Sequence, residues 1–378
     1  MRLARTTTLA AALALCLAAA AQAQDIVRLR SGTEVKCKVT AMTSQAVTYS
    51  EGGGKIKTDK KEDVTSVELG EKPPSMGKAD AAMAASQYDK AINNYTPALE
   101  EIAQKKAREL HKQFVLFSWA QALALKGSPN EALEKYKQLR NECGDCWLRA
   151  DSFQRCLELA KVKGGDAYET ILKEMKGEPE PVGSQAELEL AKLKYTGGDF
   201  DSARQSFDKV ASNATSPFAA DAKLFSLRCV RGLKKMDELE ATCKRILDEK
   251  TANPPALVQA AGAWMADLQI KKFEKDKTKW RDILMICIQA IALGPPAGKE
   301  EGEDYALALL VGAKCYVLLG NANEKAEAKD EYKSRATAYL TEIKRGYSKS
   351  PIAELATKEL VALGAAEAPK EAPKAPNK

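Results

Sequence analysis

Three segments of this 378-residue chain fall in register when written under one another, and internal repetition of this kind limits a chain to folds that stack like units side by side. They are "SQYDKAINNYTPAL" (Ser86 to Leu99), "GSPNEALEKYKQL" (Gly127 to Leu139) and "GGDFDSARQSFDKV" (Gly197 to Val210). Each opens on a Gly/Ser turn, continues to a small residue at Ala91, Ala132 or Ala203, and places an aromatic one helical turn later at Tyr95, Tyr136 or Phe207. Residues spaced in this way share one face of a helix. The small residue lets two antiparallel helices approach closely, and the aromatic fills the gap to the next pair. Ala, Leu, Lys and Glu dominate the composition while aromatics are only 6%, which favours helices.

This grammar resembles the tetratricopeptide repeat (TPR) family, whose unit is about 34 residues of helix, turn and helix. Family positions for small residues match at Ala120 and Ala191 on first helices, and at Ala91, Ala132 and Ala203 near the start of second helices. Tyr95, Tyr136 and Phe207 take the aromatic positions. The pattern departs in "KKMDELEATCKRIL", where Leu239 and Cys243 replace Ala and an aromatic, and the repeats after Pro254 are longer. The last unit, "SRATAYLTEIKRGYSKSPIAELATKELVAL", is again similar, with Ser350-Pro351 opening its closing helix. The resemblance implies a mainly α fold, an α-α superhelix of roughly seven TPR-like helix pairs over residues 76–363. It also implies binding of a peptide or partner protein, without catalysis.

Residues 24–70 read differently. Five short runs carry β-branched residues in alternation, as in Val35, Cys37, Val39 against Lys36, Lys38, Thr40, and turn signals such as Ser31-Gly32 and Gly52-Gly53-Gly54 separate them. The spacing predicts a small five-stranded antiparallel barrel, and the segment looks like the SH3-like or Sm-like barrels of envelope proteins. Residues 71–75, with Pro73-Pro74, read as a linker that leaves the two parts independent. Residues 364–378, rich in Ala, Pro, Lys and Glu, are expected to be disordered.

Residues 1–23 carry the marks of an export signal: Arg2 and Arg5, an apolar stretch from Leu9 to Ala21, and Ala21-Gln22-Ala23 before the expected cleavage. The residue before Cys16 is Leu15, which does not suit lipid attachment. The expected location is therefore periplasmic or secreted, with other envelope proteins or peptides as partners and no transmembrane segment in the mature chain. The sequence leaves the oligomeric state open. Lys plus Arg number 58 against 52 Asp plus Glu, too even a balance to predict nucleic acid as a partner. An Sm-like role in binding RNA fares no better, since residues 24–70 hold eight basic and seven acidic side chains.

Catalytic patterns are sparse. His111 is the single histidine, and "KARELHKQF" reads as a charged helix with that ring in solvent. No GxSxG, HExxH or glycine-rich phosphate loop occurs, and no cofactor or metal is expected. The trio Trp119, Trp147 and Trp264, together with Trp280, reads as core. Cys143-Gly144-Asp145-Cys146 is the one motif of chemical interest. It is read as a disulfide or a pair of core thiols, with a periplasmic thiol-disulfide oxidoreductase as the alternative function. Cys229 and Cys243, on the two helices of one pair, are the other candidates for a disulfide.

Overall fold

The computed structural model describes residues 24–164, 166–295 and 299–365. The export signal read in residues 1–23 and nearly all of the tail read in 364–378 lie outside the described residues. The chain divides into two compact units, residues 1–177 and 178–378.

The first unit begins with five strands, β1 (Asp25–Leu29), β2 (Glu34–Met42), β3 (Ala46–Ser50), β4 (Ile56–Lys60) and β5 (Val64–Glu68). They form one antiparallel sheet in the order β4-β3-β2-β1-β5. Alternation of side chains puts Val27, Cys37, Val39, Val47, Tyr49 and Val64 on the buried face. The β1–β2 turn closes through Leu29 N donating to Thr33 O at 2.9 Å, and Gly32 there holds φ +86°. β4 and β5 are the edges, with no ladder joining them among the described residues.

Six helices follow in this unit: α1 (Pro74–Ala84), α2 (Tyr88–Ala103), α3 (His111–Lys126), α4 (Pro129–Cys143), α5 (Arg149–Lys163) and α6 (Ala167–Met175). Each packs on its neighbour in sequence, as short connections between antiparallel helices require. Residues 69–73 separate β5 from α1. Trp147, in the α4–α5 loop, belongs to the buried cluster of the sheet, and Leu110, Phe114 and Leu148 pack against it. Residues of the sheet and of the helical part thus share one cluster across the stretch read as a short linker. An ion pair reinforces it: Arg108 Nη1 lies 2.8 Å from both oxygens of the buried Asp25 carboxylate. Asp25 also accepts from Val39 N at 2.6 Å and Gly70 N at 2.7 Å, and Arg108 donates to Val39 O.

The described residues of the second unit form the helices α7 (Val182–Thr196), α8 (Phe200–Ser212), α9 (Ala219–Gly232), α10 (Met236–Asp248), α11 (Pro255–Lys272), α12 (Trp280–Ile291), α13 (Lys299–Asn321), α14 (Ala326–Gly346) and α15 (Pro351–Ala362). Sequence chemistry sets several of their ends. Asp199 caps α8 by accepting from Ser202 N at 3.2 Å, and Ser350 caps α15 by accepting from Ile352 N at 3.2 Å with Pro351 as the first helical residue. The longest helices, α13 with 23 residues and α14 with 21, occupy the stretch where the repeats lengthen. No described helix is long and apolar enough to cross a membrane.

Candidate functional site

The repeat residues line the seams between helices. Ala91, Tyr95, Ala120, Ala132, Tyr136, Ala191, Ala203 and Phe207 are each at most 1% exposed. Tyr95 stacks on Trp119 with ring centroids 6.2 Å apart, and Tyr136 meets Phe117 edge-on at 5.4 Å. In the second unit Ala191, Ala203 and Phe207 share a cluster with Ala222, Phe225 and Cys229, drawn from α7, α8 and α9. Small residue against helix, aromatic against the next helix, is the packing that the TPR grammar describes. The helical part is a TPR-like repeat array.

No family model matches the chain, and no curated protein does. Among solved structures it is similar in fold to PilW, a widely conserved type IV pilus biogenesis factor, with 14% identity over 65% of this chain and 98% of that one and a TM-score of 0.39. PilF of Pseudomonas aeruginosa shares 14% identity over 75% of this chain and 96% of its own, with a TM-score of 0.33. A tetratricopeptide repeat protein from Parabacteroides merdae shares 18% over 76% and 96%, again with a TM-score of 0.33. At these scores the weight of the assignment rests on the helix packing itself.

A cleft of the second unit stands on this seam. It encloses about 640 Å³ between α7, α8, α9, α11 and the start of α13, with Tyr195, Phe200, Arg228, Arg231, Lys234, Trp264, Glu303 and Asp304 among its walls. Its floor is a buried ion pair. Arg228 Nη2 lies 2.9 Å from Asp304 Oδ2, and Trp264 Nε1 donates to Asp304 Oδ1 at 2.9 Å. Both charged side chains are under 10% exposed, and Arg228 also stacks on Phe225 at 5.0 Å. Burial pushes the Asp304 carboxyl above its usual range, against the opposing pull of Arg228 and Trp264.

The rim is cationic and aromatic. Arg231 lies over the Trp264 ring at 5.2 Å, and neither Arg231 nor Lys234 has an ion-pair partner among the described residues. Tyr195 meets Phe200 edge-on at 5.4 Å. Gly232 is required by this wall: a Cβ there would stand 2.9 Å from the Phe200 ring. Arg228 is paired with Asp304, and Arg231 and Lys234 share the cleft lining with Glu303 and Asp304. The residues can therefore hold a carboxylate or another anion beside an apolar group. Sequence reasoning missed these cations. The one local signal was the spacing of Arg228 and Arg231 in "LFSLRCVRG", which places both on neighbouring positions of one helix face.

The remaining sequence candidates resolve individually. His111 is 1% exposed, so the solvent-facing reading is corrected. Residues 105–110 are not helical, α3 opens at His111, and the sheet covers this end. Its Nδ1 sits 3.2 Å from Arg108 O, and burial lowers its pKa. Trp147, Trp264 and Trp280 are buried, while Trp119 is half-buried beneath Lys135 at 3.7 Å. Cys229 and Cys243 are free thiols in different clusters, Cys229 with Phe207 and Phe225, Cys243 with Leu239 and Ile246. Burial pushes both up to about 12. Cys143 and Cys146 are free as well, and they do come together, packing in one cluster with Leu116 and Leu139. No group of three or more metal-ligating side chains is found among the described residues.

Proposed function

We propose that this chain is a non-catalytic scaffold of the cell envelope that holds a partner protein, and that the cleft between α7, α9, α11 and α13 receives an extended segment of that partner bearing an acidic group. The observation that carries this reading is the pairing, in one cleft, of two cations that have no ion partner among the described residues with the aromatic rings of Tyr195 and Trp264. Tandem helix pairs present such clefts as a natural product of their stacking, and a peptide laid across them gains both apolar burial and charge-assisted hydrogen bonds. The buried Arg228–Asp304–Trp264 network fixes the floor, so the binding groups are held in place before a partner arrives. Export, as the first 23 residues suggest, would place the scaffold among envelope partners.

The test is a binding titration of the full chain with fluorescently labelled acidic peptides and their amide counterparts. Reversing both rim charges, Arg231→Glu with Lys234→Glu, is expected to weaken binding of the acidic set by 10-fold or more, an estimate from about 1.4 kcal/mol per tenfold. Equal binding of acid and amide peptides, or no response to the charge reversal, would refute the cleft as the site.

A further inference from the structure

The α4–α5 loop, residues 144–148, packs against the sheet, with one thiol just before it at Cys143 and a second within it at Cys146. Cys143 ends α4 and is half-buried, whereas Cys146 is 3% exposed. The two side chains pack in one cluster with Leu116 and Leu139. Between them Gly144 adopts φ +57° and ψ −129°, a conformation open to glycine, which folds the loop back so that the thiols meet.

Every part of this loop is anchored. Asp145 Oδ1 accepts from Ser44 N at 2.9 Å, across to the β2–β3 turn. Lys61 donates to Trp147 O at 2.5 Å and lies 5.0 Å over the Trp147 ring. Arg149 Nη1 donates to Gly144 O at 3.0 Å and to Arg140 O at 2.9 Å, and Leu148 N donates to Gln113 Oε1 at 3.2 Å. A covalent link between the thiols would fasten the segment that carries Asp145 and Trp147. Cys156, the next cysteine, is engaged elsewhere, 3.3 Å from Arg140 Nη1.

We infer that Cys143 and Cys146 form an oxidisable pair, closed to a disulfide by exchange with a disulfide donor, and that closure pins the loop against the sheet. The half-buried Cys143 is the sulfur a donor can reach. Its Sγ attacks the donor S–S bond, forming a mixed disulfide and releasing one donor sulfur as a thiol. Cys146 Sγ then attacks Cys143 Sγ, the mixed disulfide breaks, and the second donor sulfur leaves as a thiol. The donor gains two electrons and the two protons of the pair, and the chain gains one S–S bond. Burial of Cys146 shields it from external thiols, so it acts as the resolving sulfur. The thiolate is the attacking form, and the pair places its charge on Cys146 rather than Cys143, so the Cys143 thiolate forms by passing its proton to Cys146 before the donor S–S bond is attacked.

The experiment titrates the full chain with glutathione disulfide, then alkylates free thiols and maps them by mass spectrometry. Cys143 and Cys146 are expected to lose alkylation together, leaving a species two hydrogens lighter and no stable glutathione adduct. Cys146→Ser should trap one adduct at Cys143, Cys143→Ser should leave Cys146 unmodified, and Cys156→Ser should behave as wild type. Oxidation should also slow amide hydrogen exchange at Ser44 severalfold, an effect absent from the Cys143→Ser, Cys146→Ser double variant. Persistent alkylation of both thiols, an adduct at Cys143 that never closes, or unchanged exchange at Ser44 would overturn the inference.

Discussion

Replacing Arg228 with Met removes one charge from the floor of the cleft and leaves the stem of the side chain over Phe225. What remains is the Asp304 carboxylate, 7% exposed, with the Trp264 indole as its surviving donor. Breaking a buried pair from one side costs about 3–5 kcal/mol, and the indole bond places this case near the lower end, about 3 kcal/mol. At roughly 2–4 °C per kcal/mol for a unit of this size, the melting temperature should fall by about 6–12 °C. The pH dependence gives a sharper signature. Burial already raises the folded Asp304 pKa above its unfolded value of about 3.9, and losing Arg228 raises it further. A raised folded pKa means a contribution that is fully present below the unfolded value and lost as pH rises through the folded one. The deficit of the variant should thus be complete at neutral pH and shrink as acidification protonates Asp304. Urea unfolding followed by circular dichroism, for wild type and Arg228→Met at neutral and mildly acidic pH, measures both quantities. A deficit under 1 kcal/mol at neutral pH, or one that does not change with pH, would refute the reasoning.

The repeat seams predict a contrast between buried and surface sites. Ala132→Leu and Ala203→Leu should each cost about 1–3 kcal/mol by overpacking, whereas Lys137→Leu, on an exposed position, should cost under about 0.5 kcal/mol; equal melting temperatures would contradict the assigned register. The shared core of the first unit predicts that Trp147→Ala costs about 3–5 kcal/mol and loosens the sheet as well as the helices. Residues 71–363 expressed without the sheet should expose Leu110, Phe114 and Trp147 and bind a hydrophobic dye more strongly than the full chain, and unchanged dye binding would support the independent-barrel reading.

Features written in local spacing were legible in the sequence, and those assembled across it were not. The alternation around Cys37 and Val39 and the spacing of Ala203 to Phe207 each report on one element, and the strands and helices fall where those patterns lie. By contrast, Asp25 meets Arg108, Ser44 meets Asp145, and Lys61 meets Trp147 only after the sheet is laid on the helices. For the same reason His111 looked exposed: its charged neighbours describe a helix, but the turn before α3 and the sheet above it decide the burial. The cleft is drawn one or two residues at a time from α7, α8, α9, α11 and α13, so no window of sequence contains it. Cys229 and Cys243 flank one turn, yet the helices carry them into different clusters.

The central claim is that a partner segment lies in the cleft of the second unit. Site-specific photo-crosslinking in the native cell measures this directly, with a benzophenone amino acid placed at Tyr195, a half-buried aromatic of the cleft wall, and at Val162, which is 90% exposed on α5 of the first unit. The account predicts a discrete crosslinked protein from Tyr195, whose attached peptide carries an acidic residue, and its loss when Arg231 and Lys234 are both changed to Glu. Crosslinking from Val162 but not from Tyr195, or a Tyr195 crosslink indifferent to that charge reversal, would contradict it.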